Sequence, residues 1–389
     1  MNKKKILVDI TTLSDQYYGR GIGIYTFELT KLLFKDTNFD WHAIGFEDMR
    51  KDPILKNVSF HSLGQVKLSN PFNPIRFRFK YMPIIRKVRP DLYFAPLFER
   101  GLPVRKVTTA VAMHDVIPLV TNKFSSKGKV INTLKGMFYK YNIRRAREAD
   151  AIVANSHFTK TELIKVGFSE NHIHVVHLGL RSDLSFAKVS KSSLEELFGI
   201  TKPYIYYFGG FEPNKNIDLL LKAFSHVRSK MDIELVLGDR ALYRKKGEVV
   251  IENELGRKYW TMIKQLGLEK SVILPGFLDG KNISLLMSNA KAFVHLSGYE
   301  GFGLTVLEAL ALGCPAVVAD RSCYPEVVGN AAILVDPDDA KSVAREILNI
   351  LTNENYAKTL SQRGKQHAKK YSWDNTCKET ISVFKKLLI

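Results

Sequence analysis

The chain has 389 residues, 45% hydrophobic and 25% charged, enough for two cores and without a low-complexity tract. Lys and Arg number 58 against 39 Asp and Glu, a net charge of +19, of which residues 1–180 carry +14 and residues 181–389 the remaining +5. No apolar run approaches the ~20 residues of a membrane span, and Cys314, Cys323 and Cys377 lack metal-ligand spacing, which argues against a spanning helix, a disulfide scaffold and a cysteine metal site.

In chain order, short apolar runs alternate with helical patterns, as in parallel sheets covered by helices on both faces. Met1-Asn-Lys-Lys-Lys leads into an apolar stretch too short for a signal peptide, so a cytoplasmic protein with free thiols is expected. Strands are predicted at Lys5–Ile10, Trp41–Phe46, Leu92–Ala95, Thr108–Met113, Ala151–Ala154 and His174–Val176. A helix follows Gly23, with Tyr25, Leu29 and Leu33 at helical spacing. Around Leu178–Leu197 the pattern lapses into Ser, Lys and Asp, and an interdomain linker is expected there. The second half restarts with a strand at Tyr204–Phe208 and a helix at Ile217–Lys230, then a strand at Glu234–Leu237 and a helix at Tyr259–Leu266. Further strands are predicted at Val272–Leu274, Ala292–Leu296, Ala316–Val318 and Ala332–Val335, and Trp373–Ile389 reads as a basic amphipathic helix. Two doubly wound domains are expected, 1–185 and 186–370, with 371–389 as a terminal helix. Ligands are expected where carboxyl ends of strands face a cleft.

The excess positive charge implies an anionic partner. Part of it lies at Arg76, Arg78, Lys80, Arg86, Lys87 and Arg89, interleaved with Phe72, Phe77, Phe79 and Tyr81. A second cluster runs through Lys123, Lys127, Lys129, Lys135 and Lys140 to Arg144, Arg145 and Arg147. A surface resting on anionic lipid headgroups suits this mixture, and a plain solvated helix face remains open. No nucleic-acid reader motif accompanies the charge, so nucleic acid is not expected as a partner.

The segment richest in chemistry is Ser297-Gly-Tyr-Glu300-Gly-Phe-Gly-Leu-Thr-Val-Leu-Glu308-Ala-Leu-Ala-Leu-Gly313-Cys-Pro315. A predicted strand ends near Leu296, a glycine-bearing loop follows, and a helix begins near Leu304, with Gly313 as its cap and Pro315 as its stop. Such a loop aims backbone N–H groups and the positive end of a helix dipole at one point, which suits a diphosphate. Glu308 and Glu300 are carboxylates able to accept paired hydrogen bonds from adjacent sugar hydroxyls. As isolated acids they would do no more than favour a helix start.

This segment resembles the paired-glutamate signature of glycosyltransferase family 4, retaining enzymes of the GT-B fold, and Tyr324-Pro-Glu-Val-Val-Gly-Asn-Ala-Ala-Ile-Leu-Val-Asp-Pro337 is similar to the stretch that follows there. The resemblance is strong over residues 200–340 and looser before them. It implies two Rossmann-like domains facing a cleft, with Glu308 on the donor ribose and Glu300 near the transferred sugar. The amides around Phe302, Gly303, Leu304 and Thr305 would meet the sugar and diphosphate.

A second loop, Phe208-Gly-Gly-Phe-Glu-Pro-Asn-Lys215-Asn216, also joins a strand to a helix. A lysine there can offset a leaving diphosphate, and the resemblance puts Lys215 on the donor phosphates. Relatives usually add an arginine in this loop, where this chain has Gly210 and Asn214. Either the site works with one cation fewer or another arginine, such as Arg240, replaces it. His114, in Ala112-Met-His114-Asp115, matches the family's histidine facing the transferred sugar, and Asp115 is expected to orient its loop. Tyr18-Gly19-Arg20-Gly21-Ile-Gly23 has the wrong glycine spacing for a dinucleotide fingerprint. The resemblance makes Gly21 and Gly23 a loop between acceptor and donor phosphate, where Arg20 could add a charge. Pro275-Gly-Phe277-Leu278 is similar to the segment that reads the nucleotide base.

The resulting expectation is a retaining hexosyltransferase taking a nucleotide-diphosphate sugar as donor and a saccharide, lipid-linked by family habit, as acceptor. Cell-surface polysaccharide is the expected product. No cofactor and no bound metal are expected, Asp336, Asp338 and Asp339 reading as a turn. The alternative is a nonenzymatic GT-B protein that binds a nucleotide or glycan, which the missing arginine would favour.

Overall fold

The computed structural model describes residues 3–14, 21–65, 73–99, 104, 106–121, 129–245 and 247–389. Its backbone contacts divide the chain into two units, 1–179 with 371–389, and 180–370.

The first unit holds β1 (Lys4–Asp9), β2 (Phe39–Gly45), β3 (Ser59–Ser62), β4 (Leu92–Ala95), β5 (Thr108–Met113), β6 (Ala151–Ala154) and β7 (Ile173–Val175). They form a parallel sheet in the order β3-β2-β1-β4-β5-β6-β7. β4 and β6 are buried at every position, which explains their unbroken apolar sequence: helices cover both faces of such strands. The helix Trp373–Leu387 belongs to this unit. Its Phe384 ring meets Phe94 of β4 at 5.1 Å, and Thr376 Oγ1 donates to the carbonyl of His177 at 2.7 Å.

The second unit repeats the plan with β8 (Tyr204–Phe208), β9 (Glu234–Gly238), β12 (Val272–Ile273), β13 (Ala292–His295), β14 (Ala316–Ala319) and β15 (Ile333–Val335). The parallel order is β12-β9-β8-β13-β14-β15. Ile205, Leu221, Phe224, Leu235, Val294 and Val317 are fully buried in its core. β10 (Leu242–Lys245) and β11 (Glu248–Ile251) form a separate antiparallel hairpin.

In each unit the winding direction reverses once, between β1 and β4 and between β8 and β13. Loops leaving two adjacent strands diverge there, and a ligand can enter between them. The loops singled out at Gly209–Asn216 and Ser297–Gly303 leave β8 and β13, so the topology sets them side by side.

Several elements differ from expectation. The segment expected as a linker contains a helix, Lys191–Phe198, capped by the Ser190 hydroxyl on the amide of Ser193 and ended by Gly199 at φ 71°. The preceding residues are fastened to the second unit: Lys188 Nζ donates to the carbonyl of Ser288, and Asn289 Nδ2 to that of Ala187. The helix expected from Tyr259 starts earlier, at Glu254, where Asn253 caps the amide of Gly256. No described helix is long and apolar enough to cross a membrane.

Candidate active site

In the second unit the two loops are stitched together through side chains. Asn214 Nδ2 donates to the carbonyl of Tyr299 at 3.0 Å, and Asn216 Nδ2 to that of Leu296 at 2.9 Å. In the other direction Ser297 Oγ and the amide of Gly298 both donate to the carbonyl of Asn214, at 3.0 and 2.8 Å. Asn216 takes a left-handed conformation, φ 53°, to begin the helix Ile217–Arg228. Asn214, which replaces an expected cation, therefore holds the loop pair together.

Across this junction the Lys215 ammonium is ion-paired with Glu300. Burial is the strongest single influence and would raise the Glu300 carboxyl, but the Lys215 charge, the His295 ring and hydrogen bonds from Lys215 and Ser297 together outweigh it and hold the group below its ordinary value. Both side chains are mostly buried, 18% and 15% exposed, so the pair stands in a medium where charges act strongly.

The helix Leu304–Ala311 starts at Gly303, whose φ of 80° favours glycine; a Cβ there would also lie 2.6 Å from Tyr324 Cε1. No side chain caps this start. Its first amides and dipole are therefore suited to an anion. Phe302 is buried, so only its backbone can face a ligand, while Leu304 and Thr305 are half-buried at the helix mouth. Below them His295 and Tyr324 share a hydrogen bond of 2.6 Å, and Tyr207 stacks on the His295 ring at 5.3 Å. Burial lowers the His295 pKa to about 4, so this ring is neutral at physiological pH. At Gly210 a Cβ would lie 2.0 Å from Glu212 Oε2, so a larger residue there would displace that carboxylate.

Glu308 is buried on the same helix, and its charged neighbour is Arg181, Nε to Oε1 3.4 Å. Phe277 and Leu278 follow β12. Phe277 is 66% exposed and Leu278 is buried. Arg240 lies over the Phe277 ring, 4.2 Å from its centroid, placing this arginine at the expected base segment. Arg321 approaches Asp336 and Asp338 at 3.3 and 3.4 Å, and Asp339 caps the helix Ala340–Thr352.

In the first unit His114 ends β5. Its Nε2–H donates to the carbonyl of Pro96, which follows β4, at 2.9 Å, leaving Nδ1 as an acceptor. Burial lowers its pKa to about 4. Tyr25 meets the imidazole edge-on at 4.6 Å, so the helix Gly21–Leu33 and its Gly21 and Gly23 are brought to the same end of the sheet. Asp115 Oδ1 accepts from the amide of Ile117, fixing the turn after His114. Tyr18, Gly19, Arg20, Phe72, Lys123 and Lys127 lie outside the described residues, as do the side chains of Arg76, Phe77, Arg78, Phe79 and Lys129.

Comparison with known proteins gives the family and the fold. The family model for glycosyl transferases group 1 matches residues 191–367, and that for glycosyltransferase family 4 matches residues 19–184. The O-antigen chain mannosyltransferase B of Escherichia coli is 28% identical over 312 residues, 78% of this chain and 76% of the relative. The serotype-specific mannosyltransferase WbdA of Escherichia coli is 26% identical over 322 residues, 78% of this chain but 38% of that longer protein. Among solved structures, Anabaena HepE in complex with UDP and glucose matches with a TM-score of 0.72 at 18% identity, covering 98% of this chain and 100% of that one. The fold is GT-B, two Rossmann-like parallel-sheet domains. The chain belongs to the family 4, group 1 glycosyltransferases.

Proposed function

We propose that this glycosyltransferase moves a hexose from a nucleoside-diphosphate sugar to a hydroxyl of a saccharide acceptor in polysaccharide synthesis, with retention at the anomeric carbon. The observation that carries the reading is the uncapped helix start at Gly303 beside the Lys215–Glu300 pair, at the β8–β13 switch point. The second unit takes the donor: Glu308 accepts from the ribose hydroxyls, the segment Phe277–Leu278 meets the base, and the amides at Gly303–Thr305 take the diphosphate. As the sugar–phosphate bond breaks, charge grows on the leaving diphosphate, where Lys215 and the helix dipole stabilise it. Glu300 engages the transferred sugar, and a phosphate oxygen of the departing group takes the acceptor proton. The first unit takes the acceptor, and His114 offers a neutral acceptor nitrogen at that unit's strand ends.

The mannosyltransferase relatives support mannose as the hexose and a cell-surface polysaccharide as the product. Catalysis runs without a resident metal or cofactor, a reading supported by Asp336, Asp338 and Asp339 being engaged by Arg321 and a helix start. A lipid-linked acceptor at the inner face of the membrane fits the helix Lys129–Ala146. There Leu134 and Met137 are 61% and 65% exposed beside Lys135, Lys140 and Arg144. Incubating the purified chain with GDP-mannose or UDP-hexoses and a lipid-linked saccharide should give an acceptor one hexose heavier by mass spectrometry. Donor binding without any transfer or donor hydrolysis would instead favour a nonenzymatic glycan-binding role.

A further inference from the structure

Arg181 lies in the segment expected to be a linker, yet its side chain is only 10% exposed. Its Nε stands 3.1 Å from Asp183 Oδ1 and 3.4 Å from Glu308 Oε1, and its Nη2 donates to the carbonyl of Gly280 at 3.5 Å. Nε is buried and has no hydrogen-bond partner, so both carboxylates hold it by charge alone. Glu308 is 3% exposed. A carboxylate so deeply buried takes up a proton unless a cation stays beside it. A protonated Glu308 would offer a ribose one acceptor fewer and a donor in its place.

We propose that Arg181 is a positioning residue for the donor's ribose, favouring the charged form of the Glu308 carboxylate and aiming it so that it accepts from both vicinal hydroxyls. The proposal rests on the reading of Glu308 as the ribose acceptor. Asp183, 64% exposed, approaches the same Nε, competes for the guanidinium and so weakens the hold on Glu308. Tyr206 of β8 also interacts with Glu308, and its buried hydroxyl has no hydrogen-bond partner. Burial drives the Glu308 carboxyl up to about 7; Arg181 opposes the rise and Asp183 adds to it. Arg181, Asp183 and Tyr206 are the ionisable groups acting on Glu308 among the described residues.

The test is calorimetric binding of GDP and of UDP to the full chain between pH 6 and pH 9. In the unaltered protein, affinity should rise with pH as Glu308 loses its proton near neutrality. Arg181→Met should weaken binding about fivefold at pH 7 and move that rise upward by about one pH unit, with affinity recovering at pH 9. Arg181→Lys should restore most of the original profile. Asp183→Asn, at an exposed position that does not endanger folding, should move the rise the other way, to lower pH. The proposal is overturned if the Arg181→Met profile coincides with the unaltered one, if its loss is equal at every pH without rescue by lysine, or if Asp183→Asn moves the profile upward. Glu308→Gln separates the two levels of the argument. Weak, pH-independent binding supports the ribose reading, whereas unchanged binding removes that reading and this proposal with it.

Discussion

The two units repeat one topology and use its switch point differently. Between β8 and β13 the second unit gathers charge: Lys215 with Glu300, and Arg181 with Glu308 and Asp183, all mostly buried except Asp183. Its loops are tied to each other by Asn214, Asn216 and Ser297 before any ligand arrives. At the corresponding end of the first unit stands His114, neutral, held by one carbonyl and by the ring of Tyr25. Yet residues 1–180 carry +14 of the net charge and the rest of the chain +5. Net charge therefore points away from the half to which we assign the phosphate chemistry. Lys135, Lys140 and Arg144 are exposed on a helix surface, where water and salt screen them, while Lys215, beside an uncapped helix start, is mostly buried and its charge is screened less.

Substitutions can break or sharpen this contrast. The largest effect is expected from Lys215→Ala, a loss of about 10²–10³-fold in kcat in a transfer assay, because the cation acts on charge that grows in the transition state. His114→Ala should lower turnover about tenfold, the value of one hydrogen bond, while leaving nucleoside-diphosphate affinity unchanged by calorimetry. A donor affinity that fell with His114 would blur the division between the units. Because the His114 pKa is lowered to about 4, the unaltered protein should show no break in rate from this imidazole between pH 6 and pH 8.

Much of this was legible in the sequence because parallel strands buried on both faces are written as unbroken apolar runs. β4, β5, β6 and β8 begin and end where Leu92–Ala95, Thr108–Met113, Ala151–Ala154 and Tyr204–Phe208 predict. β3 was missed because Ser59-Phe-His-Ser is a partly exposed edge strand without that signature, and the hairpin β10–β11 because Tyr243-Arg-Lys and Glu248 carry charge and polarity on a ribbon outside the main sheet. In the site, Lys215, Glu300 and Glu308 announce themselves by their place at strand–loop–helix junctions. Arg181 does not, because its partner lies far along the sequence and only the tertiary fold brings Glu308 to it. The helix Lys191–Phe198 did carry a local signal, Ser190 before it and Gly199 after it, which the polar composition of the segment obscured. Arg240, the candidate substitute for the missing loop arginine, stands over Phe277, beside the segment expected to meet the base.

The most direct test of the central claim is a thermal-shift titration of the purified chain with UDP, GDP, dTDP and ADP, repeated with Glu308→Ala. A ligand that binds the folded form raises the melting temperature with occupancy. The account predicts that one nucleotide stabilises the protein selectively and that Glu308→Ala weakens its binding about 10- to 100-fold, the value of hydrogen bonds to a charged group. Stabilisation by none of the four, or by one of them undiminished in Glu308→Ala, would contradict a donor site built on the second unit's switch point.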